Sequence, residues 1–227
     1  PYLRLVQLFV EVQRFEDAVV ALEEMNHGEE DAERRSMNYM MAAELYRTKL
    51  DMPEDAIGFY NKALDQAPHK LEAFRAVDEI LTRAKNWKRL EENYLQMVKR
   101  VRGNEALANV EFMLYKNLGE IYRSRLQSPD YAISAYQLAV KIKPTDVPVH
   151  EILADLYERM GKVDQAIEEH RGLIVAQPGR IESYRTLFRL FNDHKQYDKA
   201  WCMAGILSLL KQANEQEQNF HRQSRAV

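Results

Sequence analysis

Residues 46–64 read YRTKLDMPEDAIGFYNKAL, and residues 122–140 read YRSRLQSPDYAISAYQLAV. Without a gap, Tyr46 and Tyr122, Arg47 and Arg123, Leu50 and Leu126, Pro53 and Pro129, Ala56 and Ala132, Ile57 and Ile133, Tyr60 and Tyr136, and Ala63 and Ala139 correspond across 76 positions. Matches so dense in one chain mean an internal repeat, and a repeat unit is a packing module whose function belongs to its surface rather than to one enclosed pocket.

A shorter period is nested inside the long one. Ala132, Ala166 and Ala200 lie 34 apart, as do Pro144 and Pro178, and Ala56 and Leu90. The long period is then two 34-residue units plus eight residues: one in the turn before a proline, Pro53 and again Pro129 one period later, and the other seven around VRGNEALAN at 101–109. Ala18 precedes Ala56 by 38 and extends the series backwards. The units fall at about 1–32, 36–69, 71–104, 111–145, 147–179 and 181–214, in one array over 1–227, with 215–227 a polar extension or cap. Within each unit two stretches of helical periodicity flank a short polar turn. In the fifth, Leu153, Leu156, Tyr157 and Met160 share a face, Gly161-Lys162 is the turn, Val163, Ala166, Ile167, Leu173 and Ile174 face inward, and Pro178 ends the second helix.

Such a unit resembles the tetratricopeptide repeat. The fourth unit carries that motif as Leu118, Gly119, Tyr122, Ala132, Ala139 and Pro144; the second as Ala42, Ala43, Tyr46, Ala56, Ala63 and Pro68; the fifth as Leu153, Ala154, Tyr157, Ala166, Leu173 and Pro178. The sixth has Leu187, Phe188, Phe191, Ala200 and Leu207, and the first Leu5, Phe9, Ala18 and Met25. The third departs most, with Asp78 where the family places a small residue, so that it is expected either to splay or to turn Asp78 outward. The resemblance implies an all-α fold, an α-solenoid with right-handed superhelical winding built of about six stacked hairpins, and a non-catalytic protein–protein interaction scaffold. Its partner is then a peptide or protein segment held on the concave face.

Composition supports helix and offers little chemistry. Gly 8 and Pro 7 are few for 227 residues, and Lys+Arg 32 against Asp+Glu 35 give a net charge of −3, which does not point to nucleic acid. One cysteine, Cys202, lends no support to an oxidising compartment, and no run approaches the roughly 18 apolar residues of a membrane span, so a cytoplasmic location is expected. The chain opens on Pro1 without methionine, which suggests a processed product or a piece of something longer. No catalytic, cofactor or metal motif is present. His150 and His170 read as aromatic substitutes in the packing, Cys202 as a structural thiol, and the nine methionines as core filling.

In tetratricopeptide proteins the first helix of each hairpin lines the concave face. The resemblance therefore nominates Arg75 and Glu79, Lys116, Asn117, Glu120 and Arg123, Glu151 and Asp155, and Arg185 and Arg189 as peptide-binding residues. Chaperone-binding members clamp a terminal carboxylate. Here Lys116 begins such a set, but Glu120, Ile152, Glu182 and Thr186 replace the rest, so that clamp is not built. Two alternatives stand beside the scaffold. A basic ridge at the first-helix ends (Arg14, Arg47, Lys49, Arg83, Lys85, Arg123, Arg125, Arg159, Lys162, Lys195) suits RNA or another polyanion, although the helix dipole alone favours cations there. The chain also suits a regulatory or assembly segment of a larger protein. The oligomeric state is not legible.

Overall fold

The computed structural model describes residues 2–223; Pro1 and the last four positions of the C-terminal extension lie outside them. The described residues form thirteen α-helices and no strand. They fall into two compact units, the first ending at Gln127 and the second beginning at Ser128, inside the stretch 111–145.

In the first unit α1 (Tyr2–Glu11), α2 (Phe15–His27), α3 (Ala32–Thr48), α4 (Pro53–Gln66), α5 (Leu71–Arg83), α6 (Trp87–Val101) and α7 (Ala108–Ser124) each pack on the next, with a short 3-10 turn at Glu105–Leu107. The second unit runs α8 (Pro129–Ile142), α9 (Val147–Arg159), α10 (Val163–Ala176), α11 (Ile181–Asp193), α12 (Tyr197–Leu209) and α13 (Glu215–Gln223), again packed in succession.

The breaks between helices recur because the same local chemistry recurs. Gln13, Lys85, Gly161, Lys195 and Lys211 all take the left-handed conformation, with φ between 53° and 67°. In each case the next amide reaches back five residues to a helical carbonyl: Arg14 to Phe9, Asn86 to Leu81, Lys162 to Tyr157, Gln196 to Phe191 and Gln212 to Leu207. This closure satisfies carbonyls that the helix end leaves orphaned. Where the turn has one extra residue, before Pro53 and Pro129, the left-handed residue moves one place on, to Asp51 and Gln127. The second helices stop in an equally repetitive way. Ala67, Lys143 and Gln177, each preceding a proline, have ψ of 83–84°, because the proline ring bars the helical region to its predecessor.

Packing follows the small residues. Ala18, Ala56, Ala132, Ala166 and Ala200 are all 0% exposed, as are Ala63 and Ala139 one turn pair further along their helices. A methyl group there lets neighbouring helices approach closely, while Leu22, Tyr60, Leu64, Tyr136, Leu153, Leu173 and Leu187 fill the spaces left beside them.

Two first helices are longer than the rest. The regular start of a first helix is Leu71, Val147, Ile181 or Glu215, but α3 and α7 begin four residues ahead of that register, at Ala32 and Ala108. Much of the extra length around 101–109 is thus an added helical turn. At the other end, residues 215–223 do not extend α12. Lys211 turns the chain, Asn214 Oδ1 accepts from the Glu217 amide at 2.9 Å, and Glu217 accepts in return from the Asn214 amide at 2.7 Å, a reciprocal cap that starts a separate helix. Phe220 stands edge-on to Phe188, with centroids 5.3 Å apart, and the Trp201 indole donates to the His221 carbonyl at 3.0 Å.

Two stability predictions follow from this geometry. No atom crowds the Gly161 Cβ position, so Gly161→Ala should cost only backbone strain, about 1 kcal/mol, whereas Lys195→Gly should stabilise by about 0.5–1 kcal/mol, both read from urea midpoints. Ala63→Leu, which forces a larger side chain between close helices, should cost about 1–3 kcal/mol by the same measurement.

Candidate binding site

A surface cavity of about 470 Å³ lies within the first unit, bounded by α5, α6 and α7. That is within the usual range for ligand pockets, about 300–1,000 Å³. Leu71, Phe74, Val110, Met113 and Leu114 form its apolar wall; Arg75, Asp78, Tyr94, Asn109 and Asn117 are its polar part. Phe74 and Tyr94 meet edge to face at 5.0 Å, which fixes the floor. Burial raises the Tyr94 phenol's pKa, and a hydrogen bond to Asp78 raises it further, against a smaller opposing bond from Asn117. Asn117, Tyr94 and Asp78 thus bring polar groups of α7, α6 and α5 together in the lining.

Two irregularities of the repeat make this space. Asp78 replaces the small residue expected in its helix, and α5 and α6 associate less closely than the paired helices of the other hairpins that lie within one unit, as the sequence led one to expect of a splayed hairpin; half-buried, Asp78 lines the cavity that this leaves. Asn109 and Val110 belong to the added first turn of α7 and supply one side of the cavity. The resemblance pointed to Arg75 and Asn117 among these lining residues. Asp78, Tyr94 and the apolar wall were missed, and the one available signal was Asp78 breaking the pattern.

The remaining expected residues are engaged inside their own units. Glu79 bridges Arg83 at 2.9 Å and Arg47 at 3.7 Å, and also borders a smaller cavity with Pro53 and Ile80. Glu120 pairs with Arg123 at 2.8 Å, and the Lys116 ammonium stands 5.7 Å from the Phe112 ring centre. Glu151 binds Arg180 at 2.6 Å, and Asp155 binds Arg159 at 2.9 Å. Arg185 reaches the fully buried Glu217 at 2.9 Å and the Gln212 carbonyl at 2.8 Å, and Arg189 pairs with Glu158. Arg75 differs: among the described residues it has no hydrogen-bond or ion-pair partner, and it is exposed at the cavity edge.

The first-helix ends are basic but not unbalanced. Arg47, Arg83, Arg123 and Arg159 each hold a carboxylate three or four residues earlier on the same helix, namely Glu44, Glu79, Glu120 and Asp155, and Arg14 holds Asp17. Local pairing of this kind stabilises a helix by a few tenths of a kcal/mol and leaves little field for a polyanion.

Other single residues depart from the sequence reading. His150 bonds Glu169 through Nδ1 at 2.6 Å and the Pro144 carbonyl through Nε2 at 2.9 Å. His170 bonds Glu158 at 2.9 Å, and its other ring nitrogen lies 3.3 Å from the Ser183 hydroxyl. Both are polar ties between helices rather than ring fillers. Cys202 is exposed, beside a second cavity of about 510 Å³ lined by α10 and α12, so it is not a buried structural thiol. Of the methionines Met97 is fully buried, but Met37, Met52 and Met113 are largely exposed. No group of three metal-ligating side chains occurs among the described residues, and no described helix is long and apolar enough to cross a membrane.

Helical hairpins with a buried alanine at a recurring place, 34 residues apart at Ala132, Ala166 and Ala200, and a left-handed residue in each turn define an all-α repeat protein that resembles the tetratricopeptide class. No protein-family profile and no curated protein matches the chain. Solved structures do. YrrB, described as a TPR protein with an unusual peptide-binding site, is similar at 16% identity over 90% of this chain and 97% of that one, with a TM-score of 0.48. PilF of Pseudomonas aeruginosa matches at 17% identity over 98% and 96%, with a TM-score of 0.44. The C-terminal part of a TPR repeat-containing protein from Cytophaga hutchinsonii matches at 13% over 97% and 99%, with a TM-score of 0.49. Nothing about this chain's ligand follows from likenesses that low.

The His150 contacts carry a pH signature. Burial opposes the imidazolium, but the Glu169 hydrogen bond, the Pro144 carbonyl and the charges of Glu169 and Asp146 outweigh it and hold the pKa above its ordinary value. A raised folded-state pKa means stabilisation that is complete below the unfolded value, about 6.5, and is lost as pH climbs through the folded one. The stability gap between wild type and His150→Gln should therefore be widest in mildly acidic buffer and narrow on the alkaline side, measured by urea unfolding across pH.

Proposed function

We propose that the chain is a non-catalytic scaffold that holds a segment of another protein against its first helices, its six hairpins acting as one array. The observation that carries this is the cavity of α5, α6 and α7, with an apolar wall left partly open to solvent and an arginine without a partner. Met113 is 49% exposed there although it sits among Leu71, Phe74 and Leu114, an arrangement that gains free energy when a partner's side chain excludes the water. Of the residues nominated from sequence, Arg75 and Asn117 are at the centre of this reading. Glu79, Lys116, Glu120, Arg123, Glu151, Asp155, Arg185 and Arg189 belong to its margins or hold neighbouring helices together.

The polyanion alternative draws little support from the ridge, because Arg47, Arg83, Arg123 and Arg159 are matched by carboxylates of their own helices. Random-peptide display against the immobilised chain tests the scaffold reading. Enriched peptides should bind the wild type and lose about tenfold or more in affinity, about 1.4 kcal/mol, on Met113→Glu or Val110→Glu. Failure to enrich any sequence, or enriched peptides indifferent to both changes, would remove it.

A further inference from the structure

One position recurs along the first helices as Arg75 on α5, Lys116 on α7, Glu151 on α9 and Arg185 on α11, set by the first-helix offsets of 41, 35 and 34 residues. Where that position is charged in the second unit, the chain itself neutralises it. Glu151 has Arg180 at 2.6 Å, and Arg185 has Glu217, carried on the next first helix, at 2.9 Å.

The same comparison explains why Arg75 is left over. α7 follows α5 as the next first helix, just as α13 follows α11, and the residue of α7 in register with Glu217 is Leu114. Leu114 is buried and offers no carboxylate. Nothing else in its unit replaces it: Glu79, four residues on, is committed to Arg83 and Arg47. The arginine lines the cavity together with its apolar wall and with Asp78 and Tyr94.

Resting on the scaffold reading, the geometry points to a specific ligand chemistry: an internal segment of a partner protein that places a large apolar side chain in the cavity and an adjacent aspartate or glutamate on Arg75. The apolar side chain meets Phe74, Val110 and Met113. The partner's carboxylate completes at Arg75 the pair that Glu217 completes at Arg185. A terminal carboxylate fits less well, because a single cation faces it with Asp78 close by, and clamping such an end takes several convergent donors. A phosphate meets the same objection.

Short peptides capped at both ends, each with one Phe and one Glu at the following, third or fourth position, are titrated by fluorescence anisotropy against wild type, Arg75→Glu and Met113→Glu. Matched peptides carry Gln or Lys in place of Glu, and one set has a free C-terminus. At least one Glu peptide should bind wild type about tenfold more tightly than its Gln counterpart, and Arg75→Glu should transfer the preference to the Lys peptide. Both altered residues are exposed, so the variants keep the fold, which circular dichroism checks. Equal binding of Glu and Gln peptides, with loss on Met113→Glu, overturns the acidic preference and leaves the scaffold reading intact. No binding by any peptide overturns both. Binding that requires the free C-terminus overturns the internal segment, and self-association abolished by Arg75→Glu makes a second copy the occupant and overturns the proposal.

Discussion

Close approach of one helix to the next is the constraint on which the rest of this molecule depends. A helix pair can come near only where both surfaces carry little, and the fully buried alanines at 18, 56, 63, 132, 139, 166 and 200 provide those places. Larger residues then have defined spaces to fill, and no helix buries its apolar side without the next one beside it. Turn chemistry serves the same end. A left-handed residue after each first helix reverses the chain within a few positions, and a proline after α4, α8 and α10 stops the second helix where the next must begin.

Charge is handled locally. Most arginines of the first helices find a carboxylate one turn away, and others are bound by the neighbouring helix, as Arg180 is by Glu151 and Arg185 by Glu217. In such a molecule an unmatched cation is informative in a way that a count of lysines and arginines is not. Arg75 stands out because it is unmatched at the edge of the cavity, whereas Arg4 on α1, also without a partner among the described residues, does not line it.

The candidate site comes from two breaks in the repeat. A regular hairpin would place a small residue at 78 and start α7 about where Phe112 lies, without the side of the cavity that the added turn supplies. Asp78 brings a polar group to the lining beside Tyr94 and Asn117, and the added turn of α7 contributes Asn109 and Val110. The C-terminal helix shows the opposite outcome, a Glu at the register of Leu114 that closes the charge of α11 from within.

The spacing of alanines, prolines and turn residues was enough, by itself, to read the chain as all-α hairpins, because sterics at a helix crossing and backbone conformation at a turn depend on residue identity at a fixed interval. It was not enough to tell which charged residues are spoken for. Glu151, Asp155, Arg185 and Arg189 read from the sequence as equals of Arg75, yet each is held by another side chain in the folded chain, while Asp78 read as a defect and lies in the cavity. Whether a charge is free depends on which groups lie a few ångströms away across a helix interface, and partners such as Glu217, 32 residues from Arg185, come within reach only when the packing is complete.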